Sequence, residues 1–159
     1  MICTNMNDKE KKYQQLEREL KALIEGEGDI AAVLANSSAL LRNIFGFFWV
    51  GFYIVKGNNL VLGPFQGDIA CYRIDYGKGV CGKAWEEKRT LVVPDVEQFP
   101  GHIACSSLSR SEIVVPLTTH EGTIKAVLDI DSTETADFDE TDRKGLETAA
   151  RIITDVLWS

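Results

Sequence analysis

Cys71, Cys81 and Cys105 fall in the middle third of a 159-residue chain whose fourth cysteine, Cys3, stands apart near the N-terminus. Thiols gathered near a pocket can do redox work, one attacking a substrate and another resolving the product as a disulfide. Cys105 lies in a loop beside Ser106 and Ser107, where a thiol is accessible, and Cys81 sits in a glycine-rich bend that opens a short helix, where amide dipoles favour a thiolate. Each cysteine taken singly also fits a buried, inert core residue. Zinc is a third reading, because His102-Ile103-Ala104-Cys105 is a compact imidazole–thiol pair, but Cys71 and Cys81 form no C-x-x-C knuckle. No metal is expected on that spacing. A second constellation is acidic. Asp129 and Asp131 point to one face of a strand, embedded in Val-Leu-Asp-Ile-Asp, and Glu112 opens the strand before it, placed as their hairpin partner. Acids of an acidic protein usually form a solvated rim; a cluster at a pocket mouth instead binds an ammonium group or shares a proton and acts as a general acid near neutral pH. Trp49 and Tyr53 share one face of a strand, as a core stripe or as a floor for a small apolar or sulfur-bearing group.

Two glycine patterns are set aside. Residues 77–82 fit G-x-G-x-x-G, and residues 77–83 fit G-x-x-x-x-G-K, but Ala84 stands where a phosphate loop needs Ser or Thr. Neither pattern is flanked by the parallel strand–helix unit that phosphate binding requires. A tight turn accounts for both.

The elements that position these residues follow from periodicity. Residues 8–25 read as a charged helix with Tyr13, Leu16, Leu20, Leu23 and Ile24 as its stripe, stopped by Gly26 and Gly28. Asp29 caps a second helix that runs to Gly46. A strand over 47–55 has Trp49, Gly51 and Tyr53 on one face and Val50, Phe52 and Ile54 on the other. A hairpin turn over 57–59 leads to a strand over 60–62, and a third strand is expected over 69–73. A short helix over 80–88 and a strand over 90–93 precede a long loop over 94–109, whose length marks it as functional. Strands over 112–119 and 123–131 and a helix capped by Asp139 complete the chain. Helices, hairpin-connected strands and a final helix argue for an α+β fold: a mostly antiparallel sheet of about six strands, with the N- and C-terminal helices packed on one face.

Composition bounds the function. At 159 residues, with 45% hydrophobic and 26% charged residues, the chain is expected to be one domain over 1–159, with neither linker nor repeat. A net charge of −7 disfavours nucleic acid and anionic lipid as partners. No signal peptide or membrane-length apolar run is visible, so a cytoplasmic setting is expected, in which structural disulfides are not. The charged first helix reads equally as solvated or as the contact of a homodimer.

Together these residues resemble a known family. The stretches Gly63-Pro64-Phe65-Gln66-Gly67, Ala70-Cys71, Gly77-Lys78-Gly79-Val80-Cys81-Gly82, Val93-Pro94-Asp95-Val96, Phe99-Pro100-Gly101-His102-Ile103-Ala104-Cys105, Ser111-Glu112-Ile113-Val114-Val115-Pro116-Leu117 and Val127-Leu128-Asp129-Ile130-Asp131-Ser132 are similar to those of the free methionine-(R)-sulfoxide reductases, stand-alone GAF domains. The resemblance runs from about Tyr13 to the end, and its three-cysteine spacing sets it apart from signalling GAF domains. It implies a GAF fold and an oxidoreductase that reduces free L-methionine-(R)-sulfoxide without a cofactor, recycled by a thioredoxin-type reductant. It implies Cys105 as the attacking thiol and Cys71 as the resolving one, with Cys81 a third thiol that attacks instead or relays. It implies Trp49 and Tyr53 as the wall around the substrate methyl, and Glu112, Asp129 and Asp131 as the acids that hold the ammonium and help protonate the sulfoxide oxygen. Cys3 carries no role in this pattern. The competing function is a non-catalytic GAF module that binds a small ligand and signals.

Overall fold

A computed structural model describes residues 6–103 and 105–159; Cys3 lies outside the described residues. The chain opens with helix α1 (Asp8–Ile24), capped by the Asn7 side chain, and helix α2 (Ile30–Phe45), capped by Asp29 and ended by Gly46 in the left-handed conformation that glycine adopts without strain. Strands β1 (Trp49–Lys56), β2 (Asn59–Gln66) and β3 (Arg73–Asp75) follow, then helix α3 (Gly79–Glu87) and strand β4 (Leu91–Val93). Strands β5 (Ser111–Thr118) and β6 (Ile124–Ser132) and helix α4 (Glu140–Trp158) close it. The six strands form one sheet in the order β3-β2-β1-β6-β5-β4, with every pairing antiparallel. This is the α+β architecture that the alternation of apolar residues predicts.

The sheet has two unlike faces. On one, the inward residues Val50, Phe52, Ile113, Leu128 and Ile130 pack under α1, α2 and α4, whose stripes (Leu16, Leu20, Leu34, Leu41, Leu146, Ile153) are almost wholly buried. Burial of one such leucine contributes about 1.5–3 kcal/mol. On the other face, Trp49, Tyr53, Val114 and Val127 meet α3 through Val80, Cys81 and Ala84. The expectation that the terminal helices share one face is met, and α3 covers the opposite one together with the 94–109 loop, whose Val96 and Phe99 pack there.

Two local expectations need correction. The third strand lies at Arg73–Asp75, not over 69–73; Ile69 is 90% exposed and Tyr72 75% exposed, so the apolar look of that stretch does not come from burial in a sheet. The loop over 94–109 is not structureless throughout: Asp95 caps a single 3-10 turn (Val96–Gln98), and Val96 is buried. That turn, with the Val96 N–H donating to Arg110 O and the Arg110 N–H donating to Ser132 O, pins both ends of the loop to the sheet.

Candidate active site

Strand register assembles the site. In the β1–β6 pair Trp49 stands opposite Asp131, Gly51 opposite Asp129 and Tyr53 opposite Val127. In the β5–β6 pair Glu112 stands opposite Asp131 and Val114 opposite Asp129. Because side chains alternate across a strand, Trp49, Tyr53, Glu112, Asp129 and Asp131 all reach the α3-covered face. The hairpin partnership of Glu112 with Asp131, expected from the sequence, is present.

Gly51 and Gly67 make room for the indole. A Cβ on Gly51 would overlap Phe65, and one on Gly67 would lie 2.6 Å from Trp49 Cδ1. With both absent, Trp49 stacks on Phe65 at a centroid distance of 5.2 Å and on Tyr53 at 6.1 Å. Both aromatic residues are buried, and each turns its polar end to the segment before β3. Trp49 Nε1 donates to Asp68 O at 2.9 Å, and the Tyr53 hydroxyl donates to Cys71 O at 2.9 Å. The wall of rings thus fixes the backbone that carries Cys71.

Cys71 and Cys105 form a disulfide, with their Cα atoms 5.6 Å apart across a sequence separation of 34. It ties the 94–109 loop to the segment between β2 and β3 over one cavity of about 50 Å³. Trp49, Tyr53, Cys81, Cys105 and the three acids line that cavity, with Ile69, Ile103 and His102 at its rim. Space of that size takes a few waters. The sequence offered His102 only as a zinc ligand beside Cys105; in the fold its Nε2 lies 3.9 Å from Glu112 Oε1, a proximity that only tertiary folding creates. Burial pulls the His102 pKa below its ordinary 6.5, which favours a neutral ring at neutral pH.

The electrostatics of this cavity are one-signed. Burial first, and then the neighbouring Asp129, push Glu112 and Asp131 well above the usual carboxylate range. Burial also raises Asp129, while hydrogen bonds to Glu112 and Cys81 pull it back down. Asp129 Oδ1 is buried with no hydrogen-bond partner among the described residues. Such an atom is costly unless a donor arrives. The arrangement therefore suits a ligand that brings both a cation and an oxygen to be protonated.

Of the two sequence readings of Cys81, the structure favours the buried thiol over the dipole-stabilised thiolate. Cys81 does sit in the first turn of α3, but it is 3% exposed, and burial with Asp129, Glu112 and Asp131 around it drives its pKa well up, which outweighs the helix dipole. It is a neutral thiol. The zinc set of three cysteines and His102 does not assemble, because Cys71 and Cys105 are joined to each other. Cys81, Glu112 and Asp129 do offer donor atoms within 4.8 Å of one another.

A GAF-type sheet with a cysteine pair over an acidic, aromatic-walled cavity defines the class of protein. The GAF domain family model matches residues 27–157. The free methionine-R-sulfoxide reductase of Saccharomyces cerevisiae is 40% identical over 158 residues, covering 94% of this chain and 87% of that one. The Escherichia coli protein of the same name is 48% identical over 135 residues, covering 84% and 81%. The structure of free methionine-R-sulfoxide reductase from Neisseria meningitidis, in complex with its substrate, superposes with a TM-score of 0.91 at 47% identity, covering 98% of this chain and 94% of that one. The chain belongs to the GAF domain family and, within it, to the free methionine-R-sulfoxide reductases.

Proposed function

We propose that this chain, taken as one domain over residues 1–159, reduces free L-methionine-(R)-sulfoxide to L-methionine. The observation that carries the reading is the meeting, at one cavity, of Cys105, disulfide-linked to Cys71, with an acid cluster and two stacked rings. The relatives named above carry the same activity in their names.

A sulfoxide sulfur is a poor electrophile until its oxygen is protonated. Glu112, held in its protonated form by burial and by the charge of Asp129, supplies that proton. Asp129, with its unpartnered Oδ1, takes the substrate ammonium together with Asp131. Helix α3 begins without a side-chain cap, and the first-turn residues Gly79 and Val80 line the cavity, so their N–H groups donate to the substrate carboxylate. Trp49 and Tyr53 hold the methyl group. The Cys105 thiolate attacks the sulfur, methionine leaves, and Cys105 retains the oxygen as a sulfenic acid. The Cys71 thiol then attacks Cys105 and releases water as the disulfide forms. Assigning the attack to Cys105 rather than Cys81 is supported by the neutral, buried state of Cys81. A dithiol of the thioredoxin type returns both cysteines to thiols, in a setting we take to be the cytoplasm. The chemistry does not require a second copy of the chain.

Three-point fixation of methyl, oxygen and sulfur selects one epimer, and pairing of both main-chain charges selects the free amino acid. The test is turnover with dithiothreitol on four substrates: the free R and S epimers and the N-acetyl derivative of each. Turnover of the free R epimer alone is expected. Equal turnover of the N-acetyl R compound, or none of the free R epimer, removes the proposal.

A further inference from the structure

Seven large apolar side chains are exposed among the described residues, and four of them sit on the two segments joined by the disulfide. Ile69 (90%) and Tyr72 (75%) flank Cys71; Ile103 (38%) and Leu108 (55%) flank Cys105. Single exposed apolar residues need no explanation, but a cluster of them beside one reactive bond does. Each lies within three residues of its cysteine, so each Cα is within about 11 Å of a bridged Cα. The two bridged Cα atoms are themselves 5.6 Å apart. Transient redox encounters bury less than about 1,200 Å² in total, which is about 600 Å² a side, or a disc of about 14 Å radius. A disc of that size centred on the disulfide takes in all four residues. The cavity accounts for Ile69 and Ile103, which line it, but not for Tyr72 and Leu108, which do not.

We infer that this apolar cluster is the docking surface of a protein dithiol reductant. The inference rests on the reductase reading above. The bond at its centre sets the occupant. Cys71 and Cys105 are both half-buried, so a small thiol still reaches them, whereas a sulfur carried on a protein reaches them only when that protein's surface meets the one around the bond. Small thiols have no use for such a surround. The reductant's thiolate attacks one sulfur of the pair, the Cys71–Cys105 bond breaks, and the other cysteine leaves as a thiolate that takes up a proton. The reductant's second thiolate then attacks its own sulfur in the mixed disulfide and releases the remaining cysteine. Two electrons pass from dithiol to cysteine pair, and the reductant departs as its disulfide.

The test compares two reductants on a Tyr72→Glu/Leu108→Glu double variant: thioredoxin with thioredoxin reductase and NADPH, and dithiothreitol. The KM for thioredoxin should rise about tenfold or more, while the dithiothreitol-supported kcat stays within about twofold of wild type. A Leu23→Glu variant places the same charge on another exposed apolar residue, 44% exposed on α1, and should move neither. The Tyr72→Ala/Leu108→Ala pair guards against damage from the added charges and should raise the same KM about threefold. An unchanged KM for thioredoxin in both double variants overturns the inference, and so does an equal loss with both reductants. Wild-type protein that turns over with dithiothreitol but not with thioredoxin also overturns it and leaves the reductase reading intact. Failure with dithiothreitol removes the reductase reading itself.

Discussion

Two buried aspartates on opposite sides of the sheet show how this molecule divides its work. Asp142, 2% exposed in the first turn of α4, is fully partnered: it accepts from the Tyr13 hydroxyl at 2.7 Å, from Lys9 Nζ at 2.7 Å and from the Asp139 N–H at 2.8 Å. Those bonds close a capping box and clamp α1 to α4. Asp129, 6% exposed on the α3-covered face, has an oxygen with no partner among the described residues and two further acids beside it. Burial costs the same kind of group in both places; one site repays the cost at once with donors, and the other leaves it open. The helix-covered face is built for stability, and the face under α3 tolerates repulsion for the sake of a ligand.

The largest effect that separates the two faces should come from Cys105→Ser. Turnover with dithiothreitol is expected to fall by about a thousandfold or more, with the reduced protein's thermal stability unchanged. Leu20→Ala on the helix-covered face should do the reverse, costing about 2–5 kcal/mol in denaturant unfolding while kcat is preserved. The aspartates themselves sharpen the contrast. Asp142→Ala strands the Tyr13 hydroxyl, leaves the Lys9 ammonium paired with Asp139 alone, and should cost about 2 kcal/mol with little change in kcat/KM. Asp129→Asn should instead lower kcat/KM about a hundredfold and stabilise the unliganded protein by about 1 kcal/mol at pH 8, because it removes a charge from a like-charged cluster. A destabilised Asp129→Asn would break the comparison.

A pH series tests the same division at smaller amplitude. Glu112 keeps its proton above the ordinary 4.5 in the folded chain, whereas in the unfolded chain it loses it there. Between those two values the folded state binds more protons than the unfolded state, so stability falls as pH rises. The contribution is complete below 4.5 and is lost by the time pH passes the raised value of the folded protein. Urea midpoints of the reduced protein should decline from pH 5 to pH 8, and Glu112→Gln should flatten that decline. A steeper slope in the variant would contradict the assignment. Smallest of all, Tyr53→Phe removes one hydrogen bond to Cys71 O and should cost about 1 kcal/mol, with disulfide formation slowed a few-fold in single-turnover quench experiments.

What the sequence revealed follows from the range of the interactions involved. The faces of β1 and β6 were legible because strand alternation is local: Trp49 and Tyr53 against Val50 and Phe52, Asp129 and Asp131 against Leu128 and Ile130. The caps Asp29 and Asp139 were legible for the same reason. The third strand was not. It spans three residues with only Ile74 buried, so it carries no alternation, while Ile69 and Tyr72 mimic a strand although they are exposed. For Cys81 the sequence left a thiolate and a buried thiol both open, because its ionisation depends on burial and on acids contributed by β5 and β6, not only on the helix that carries it. His102 reaches Glu112 only because the loop folds back over the sheet.

One measurement addresses the central claim without relying on any recycling system. Fully reduced protein is mixed with a single equivalent of free L-methionine-(R)-sulfoxide, quenched with acid, and assayed by amino-acid analysis and peptide mass mapping. The account predicts close to one methionine per chain and a new Cys71–Cys105 link, with Cys81 still a free thiol. Methionine formed while Cys105 remains a free thiol, or no methionine at all, would contradict it.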